Sequence, residues 1–174
     1  KTESSDERFF VFETSPNYSA SLGLRDGTDP DKTRIQFYAQ TEGSNSETIS
    51  VEIPDSEITA RWYHAALTFD GTTLTAYLNG QSIGSWNLSG KGAIKTATAL
   101  HIGTYRDANG RYFVGDIDDI AVWVRALSAS EIKALSDEGA TTRYVNFLNI
   151  GLDAAPYDSW NTAADALQDA LVLA

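Results

Sequence analysis

Cysteine and methionine are absent from this 174-residue chain, which also contains only four prolines and two histidines. Without cysteine the chain has no disulfide, no thiolate nucleophile and no cysteine-ligated zinc site. No apolar run approaches the ~20 residues that a membrane-spanning helix needs, so no membrane insertion is predicted. Because the chain begins at Lys1 and has no methionine, we expect it to be a piece of a longer protein.

Basic residues are also scarce, since 13 lysines and arginines stand against 24 aspartates and glutamates and leave a net charge of −11. A surface of this sign repels polyphosphates, which argues against nucleic acid and anionic membranes as partners. Apolar residues make up 42% of the chain. That fraction is enough for the core of one domain of ordinary size with a short appendage.

Catalytic motifs are missing as well. His64 and His101 both lie inside β-type runs and are interpreted as structural residues. The sequence contains no Gly-x-Ser-x-Gly elbow, no His-Glu-x-x-His metal motif and no phosphate-binding loop. No predicted strand carries an acidic pair spaced to flank a sugar bond, as a glycosidase requires. We therefore predict that this segment is not an enzyme and that any activity lies in the parent protein beyond Ala174.

Short β-type runs separated by turn residues fill most of the chain. Asn79-Gly80 between two such runs is a strong signal for a tight hairpin, and Asp70-Gly71 marks another turn. This pattern predicts an all-β, antiparallel sandwich. The predicted strands cover residues 9–13, 18–25, 33–40, 48–53, 61–69, 74–78, 82–88, 98–103 and 113–124.

The last of these runs is rich in apolar and β-branched residues and is followed by a helix. Ile120 and Val122 share a strand face with Asp118. If this face is buried in the core, the Asp118 carboxylate must be paired or must accept hydrogen bonds. Ser128 and Glu131 have the spacing of a capping box at a helix N-terminus, and Gly139 stands where such a helix would end.

Three motifs in this order and spacing resemble laminin G-like jelly rolls of the concanavalin A-like lectin group. They are W-Y-H-A-A-L-T-F-D-G from Trp62 with L-T-A-Y-L-N-G from Leu74, then L-H-I-G from Leu100, then G-D-I-D-D-I-A-V-W-V-R-A-L-S-A-S-E-I from Gly115. The resemblance implies an antiparallel jelly roll over residues 1–139, with one short helix after the last strand. The opening strands of that family are missing before Phe9, which implies an unpaired edge beside the strand 113–124.

Residues 140–174 have a different character. Tyr144-Val145, the Pro156–Trp160 run and an alanine-rich helical stripe together resemble the N-terminal cap of a pectate lyase-like parallel β-helix. We therefore expect a linker and the start of a β-helix domain there. The alternative is a plain C-terminal helical segment packed on the sandwich.

The loop from Thr104 to Tyr112 is the candidate ligand site. Sugar sites combine a ring for stacking with planar polar groups for hydroxyls, and this loop supplies both. Its candidate residues are Tyr105, Arg106, Asp107, Asn109 and Tyr112. Packing in the interior is the alternative for the tyrosines. Core or half-buried strand positions are predicted for the tryptophans Trp62, Trp86 and Trp123.

Calcium is the one cofactor that the sequence suggests. The loop carrying Asp26, Asp29 and Asp31 is dense in the oxygen ligands that Ca²⁺ prefers, and Asp118 is a further candidate ligand. Calcium at the sandwich rim is also what the resemblance implies. The alternative is that these acidic side chains are simply solvated.

Two functions from different classes follow. The first is a non-catalytic recognition module that binds a polysaccharide, a glycoprotein glycan or a protein ligand, within a secreted or cell-surface multidomain protein. The second is a structural spacer attached to a β-helix polysaccharide-active enzyme or adhesin. An exposed aromatic ring beside a rim loop would favour recognition, whereas rim loops without rings or metal would favour the spacer.

Overall fold

The computed structural model describes residues 6–14, 18–43, 46–105 and 112–138. The described residues form two antiparallel sheets, ordered β4-β3-β2-β1-β8 and β5-β6-β7. The elements are β1 Asp6–Glu13, β2 Tyr18–Asp26, β3 Lys32–Gln40, β4 Ser46–Pro54, α1 Asp55–Ile58, β5 Ala65–Phe69, β6 Thr73–Leu78, β7 Gln81–Asn87, β8 Ala99–Ile102 and α2 Ala129–Asp137. The predicted all-β antiparallel jelly-roll sandwich is confirmed.

The core lies between the two sheets and follows from strand alternation. In β3, Ile35, Phe37 and Ala39 are buried because every second side chain points to the same face. Leu22 of β2 is the register partner of Phe37, and the fully buried Ala76 of β6 closes the same cluster from the other sheet. Burial of these aliphatic and aromatic side chains is the main stabilising term of the sandwich.

Two turns arise from the residues that the sequence singled out. Asn79 and Gly80 have φ angles of 50° and 74°, the left-handed pair that a tight hairpin between β6 and β7 requires. In the turn before β6, the Asp70 carboxylate accepts hydrogen bonds from the amides of Thr72 and Thr73 at 2.8 and 2.7 Å. These hydrogen bonds lower the pKa of Asp70 below its ordinary value.

The start of β1 is held by buried polar residues. Glu7 and Arg8 are each only 1% exposed, and the strand bulges between Arg8 and Phe10. Arg8 fits because its neighbour across the ladder is Gly23, where a Cβ atom would lie 2.3 Å from the Glu7 carbonyl oxygen and 2.8 Å from Arg8 Cδ. Glycine at this position therefore makes room for the arginine side chain.

Helix α2 covers the outer face of the three-stranded sheet. Ile132 of α2 and Leu127 before it form a buried cluster with Tyr77 of β6. The predicted capping box is confirmed, because the Ser128 hydroxyl accepts from the Glu131 amide while the Glu131 carboxylate accepts from the Ser128 amide at 2.8 Å. Gly139, the predicted end of this helix, lies outside the described residues.

The predicted strand over residues 113–124 is not a strand in the structure. The segment has no regular secondary structure and joins neither sheet among the described residues, and Val114 and Val124 are 72% and 96% exposed. Asp119 has a φ of 51°, which breaks the alternation of faces on which the prediction depended. A strand also needs a hydrogen-bonded neighbour along its length. The Phe113 amide donates to the Gly103 carbonyl at the start of this segment, but in the described part of the chain no strand ladder continues from there.

The burial predicted for Asp118 is wrong for the same reason. Asp118 is exposed, and its carboxylate accepts a hydrogen bond from the Asp119 amide at 2.9 Å. The linker and β-helix cap predicted for residues 140–174 lie outside the described residues. No helix in the described part of the chain is long and apolar enough to cross a membrane.

Candidate ligand-binding rim

The candidate loop begins where β8 ends. Gly103 follows the strand with a φ of 72°, a conformation that glycine adopts without strain. Its amide donates to the Phe9 carbonyl at 3.0 Å, and its carbonyl accepts from the Phe113 amide at 2.9 Å. Thr104 and Tyr112 then pair as an antiparallel bridge. The loop is therefore closed at its base by backbone hydrogen bonds on both sides of the chain.

The two tyrosines at this base have different environments. The side chain of Tyr105 is 8% exposed, whereas Tyr112 is 52% exposed. The expectation that Tyr105 offers a stacking surface is therefore corrected, because its side chain is buried and leaves little ring surface for a ligand. Tyr112 is the tyrosine available to a ligand. Arg106, Asp107 and Asn109 lie outside the described residues and stay predictions.

The backbone that follows Tyr112 is anchored to β1. The next residue, Phe113, packs edge-on against Phe9 of β1 with ring centroids 5.7 Å apart. The amide of Val114 donates to the buried Glu7 carboxylate at 3.2 Å. These contacts attach the backbone after Tyr112 to β1, the strand beside β8. The backbone that carries the Tyr112 side chain is therefore fixed at this end of the loop.

The acidic loop between β2 and β3 is organised by its own hydrogen bonds. The Asp29 carboxylate accepts from the Asp31 amide at 3.1 Å and pairs with the Lys32 ammonium at 3.4 Å. These two interactions hold the pKa of Asp29 below its ordinary value. Glu52 from β4 accepts from the amide and hydroxyl of Thr28 at 2.7 and 2.6 Å, which lowers the pKa of Glu52 as well.

These contacts give the loop a structural role that needs no ion. Residues 6–14, 18–43, 46–105 and 112–138 contain no group of three or more histidine, aspartate or glutamate side chains arranged so that it could hold a metal ion. Asp26, Asp29 and Asp31 do not form such a group, and neither does Asp118 with its neighbours. The described geometry therefore gives the calcium prediction no support.

Sequence reasoning missed how exposed the tryptophans are. Trp62, Trp86 and Trp123 are 66%, 44% and 45% exposed, so the predicted core or half-buried strand positions are wrong for Trp62 and Trp123. Trp62 lies in the loop before β5 rather than inside it, because β5 begins only at Ala65. The sequence around Arg61 to His64 carries no clear signal for where β5 begins.

Trp123 also borders a shallow groove of about 280 Å³ beside α2. The lining residues are Trp123, Arg125, Leu127, Glu131, Ala134, Leu135 and Glu138. Across it, the Arg125 guanidinium binds both oxygens of Glu131 at 2.6 and 3.0 Å. This pairing, together with the capping contacts of Ser128, lowers the pKa of Glu131 to about 2.

Two antiparallel sheets around one core define a jelly-roll domain. The family model described as the concanavalin A-like lectin/glucanases superfamily matches residues 1–133. The chain belongs to this superfamily. A search of curated protein sequences finds no significant match.

Solved structures with a similar fold include a native heptameric SAP-like pentraxin from Limulus polyphemus, 20% identical, with a TM-score of 0.59 over 89% of this chain and 74% of the pentraxin chain. The binding domain of Paraclostridial Mosquitocidal Protein 1 is 14% identical, with a TM-score of 0.51 over 77% of this chain and 32% of that one. An S-layer domain-containing protein from Clostridium thermocellum is 28% identical, with a TM-score of 0.35 over 78% of this chain. The chain spans 65% of that S-layer structure.

Proposed function

We propose that this domain is a non-catalytic recognition module that binds a neutral glycan at the rim formed by Thr104 to Tyr112. The observation that carries the proposal is the exposed ring of Tyr112, 52% accessible and fixed at the base of a closed loop. A spacer domain has no need for an aromatic ring held outward in this way. An exposed tyrosine offers an apolar ring face for stacking and a hydroxyl group for hydrogen bonding.

The chemistry of the loop suits a sugar. The apolar face of a pyranose ring stacks on the Tyr112 ring, and its hydroxyls need donors and acceptors within hydrogen-bond distance. Arg106, Asp107 and Asn109 are the residues in the loop that would supply them. Because the chain carries a net charge of −11, we expect neutral polysaccharides to bind better than sulfated ones.

The wider context is part of the same proposal. A single shallow site binds weakly, so useful affinity would come from several modules of a secreted or cell-surface parent protein acting together. The spacer function, beside a β-helix enzyme or adhesin, is the alternative. A protein ligand at the same rim is the other form of recognition that the exposed ring would serve.

The test is affinity electrophoresis of the 174-residue chain through gels containing neutral polysaccharides, comparing wild type with Tyr112→Ala. We expect the wild type to be retarded by at least one polysaccharide and the variant to lose about tenfold in affinity, because one stacked ring contributes roughly 1–2 kcal/mol. Tyr105→Phe is the matched control. It keeps the buried ring, so retardation should be unchanged.

Thermal unfolding of both variants separates binding from folding, since an exposed ring at Tyr112 should change the melting temperature little. Retardation that survives Tyr112→Ala would move the site to another surface. If no gel retards the wild type and no glycan on an array binds it, the spacer function is favoured. Repeating the gels with a chelator tests the calcium prediction independently.

A further inference from the structure

Trp62 is a second exposed ring on an anchored backbone. Its side chain is 66% exposed, more than any other aromatic side chain in the described part of the chain. Tryptophan is highly buried on average, so this exposure is unusual for the residue type. The next residue, Tyr63, packs against the core, and its hydroxyl donates to the Glu57 carbonyl at 3.4 Å.

The loop that carries Trp62 is tied to the elements on both sides of it. Before Trp62, the Arg61 guanidinium donates to the Glu57 carboxylate of α1 at 2.7 Å. After it, the His64 amide donates to Asn79 Oδ1 at 3.0 Å, and the His64 carbonyl accepts from the Asn79 amide at 2.8 Å. The loop is therefore attached to α1 and to the hairpin between β6 and β7.

Trp62 and Tyr112 lie at the same end of the sandwich. The sheet β4-β3-β2-β1-β8 is antiparallel throughout, so β4 and β8 both finish at the end where β1 begins. The Tyr112 rim follows β8, whereas α1 and the Trp62 loop follow β4. The Asp55 amide at the start of α1 donates to the Asp31 carbonyl of the β2–β3 loop at 2.9 Å, which holds α1 at this end.

The three-stranded sheet has the matching orientation. Ala65, the first residue of β5, pairs with Leu78, and both pack on the cluster that contains Ile53 from the end of β4. Leu74, at the opposite end of β6, packs with Ala39 near the end of β3 instead. The chain between β4 and β5 therefore stays at the end of the sandwich that carries the Tyr112 rim.

The polar groups next to the Trp62 loop suit sugar hydroxyls and add no net charge. Asn79 is exposed, and its Nδ2 group has no hydrogen-bond partner in the described part of the chain, so it can donate to a hydroxyl. Arg61 and Glu57 compensate each other's charge while their side chains stay 56% and 46% exposed. A neutral ligand meets both donors and acceptors here.

We propose that Trp62 and Tyr112 bind one neutral polysaccharide chain together, so that the chain lies across this end of the sandwich. This inference rests on the function proposed above and extends it, because the ligand becomes a run of several sugar units rather than the terminal sugar of a glycan. Sheets pack about 10 Å apart and neighbouring strands lie about 4.8 Å apart. An oligosaccharide of several units is long enough to cross such distances, and contact with the second ring is then intramolecular, which raises affinity.

The test measures how affinity depends on chain length. The probes are mixed-linkage β-glucan, arabinoxylan, galactomannan and dextran, each as a polymer in affinity gels and as a ladder of oligosaccharides, from the disaccharide upwards, in isothermal titration. Wild-type affinity should rise about tenfold once an oligosaccharide reaches both rings. Trp62→Ala and Tyr112→Ala should each remove this rise and leave disaccharide binding within about twofold, because the other ring still binds one sugar.

Three further variants separate stacking from folding. Trp86→Ala is the matched control, because Trp86 is also an exposed tryptophan but pairs with Leu74 near the other end of the sandwich, so binding should be unchanged. Trp62→Phe keeps a ring and should keep most of the rise, whereas Trp62→Leu keeps apolar bulk without a ring and should lose it. Long oligosaccharides should shift the tryptophan emission of the wild type, and this shift should be absent in Trp62→Phe.

The outcomes distinguish this inference from the proposed function. If binding depends on Tyr112 but Trp62→Ala matches the wild type at every chain length, the two-ring inference is overturned and the proposed function stands. If the wild type binds none of these polysaccharides, both are overturned. Loss of disaccharide binding in Trp62→Ala, with Tyr112→Ala unchanged, would place the whole site at Trp62. Equal losses in Trp62→Phe and Trp62→Leu would show that packing of the loop, rather than ring stacking, is what Trp62 provides.

Discussion

At the scale of single residues, Gly23 lies in close contact with the Glu7 backbone and the buried Arg8 side chain. A methyl group there would lie 2.3 Å from the Glu7 carbonyl oxygen, which is backbone and cannot rotate away. We expect Gly23→Ala to lower the free energy of unfolding by about 1–3 kcal/mol, through overpacking against β1. Urea denaturation followed by circular dichroism measures this change.

Gly84→Ala is the control for Gly23→Ala. It also lies in a strand, but its added methyl would meet only the Ile49 Cγ2 methyl group, at 3.1 Å. That side chain can shift, so the loss should be smaller. Equal losses for the two variants would show that the close contacts with Glu7 and Arg8 do not determine the cost of Gly23→Ala.

The charge state of the Glu131 carboxylate affects the stability of α2. The bidentate contact with Arg125, followed by the capping contacts of Ser128, lowers the pKa of Glu131 from 4.5 to about 2. A folded-state pKa below the unfolded value means that the ionised carboxylate stabilises the folded protein. The stabilisation is complete above about pH 4.5 and is lost as the pH falls towards about 2.

Glu131→Gln should therefore lower the melting temperature at pH 6, with the difference from wild type shrinking as the pH approaches 2. Differential scanning calorimetry across this range is the measurement. Glu57→Gln is the control, because Glu57 binds Arg61 through one oxygen at 2.7 Å and caps no helix. A difference that stays constant between pH 6 and pH 2 would contradict the assigned pKa.

At the scale of elements, α2 depends on one buried side chain. Ile132 is 2% exposed and packs with Leu127 on Tyr77. We expect Ile132→Ala to lower the free energy of unfolding by about 2–4 kcal/mol, because it leaves a cavity under the helix. The half-buried Leu135 contacts the same cluster, so Leu135→Ala should cost less.

Hydrogen exchange distinguishes two ways in which Ile132→Ala can act. Loss of protection confined to α2 means that the helix opens while the sandwich stays folded. Loss across β5, β6 and β7 together would mean that α2 and its sheet unfold as one unit. Full protection of α2 in the variant would contradict the docking role of Ile132.

The elements also show what a sequence can predict. The strands from β1 to β8 were recognisable as short β-type runs between turn residues, and the Asn79-Gly80 hairpin and the capping box at Ser128 are local in sequence. Residues 113–124 have equally strong β-type composition. They form no strand because pairing depends on a neighbour from a distant part of the chain, which composition cannot supply.

The candidate site was predictable as a loop but not as a set of contacts. Tyr105 and Tyr112 flank the same loop and look equivalent in sequence. In the structure Tyr105 is buried and Tyr112 is exposed, a difference that depends on tertiary packing and not on the local sequence. Trp62 was misread for a similar reason, since a tryptophan next to a strand is usually buried, and only the position at which β5 begins shows otherwise.

At the scale of the whole molecule, the net charge of −11 should favour binding of neutral polysaccharides over sulfated ones. Repulsion between this surface and sulfate groups acts over about 10 Å at 0.1 M salt and over about 30 Å at 0.01 M. A neutral chain feels none of it. Binding to a neutral polysaccharide should therefore be nearly independent of salt, because ring stacking and hydrogen bonds to hydroxyls carry no net charge.

A sulfated derivative of the same polysaccharide should bind worse at low salt and recover as salt screens the repulsion. Affinity electrophoresis at about 0.01 M and 0.5 M salt, with the neutral and sulfated forms side by side, measures both trends. Tyr112→Ala should weaken binding of both forms by a similar factor, since the same ring is used. Tighter binding of the sulfated form at low salt would contradict the argument. It would mean that Arg106 and Arg111 in the loop outweigh the charge of the rest of the molecule.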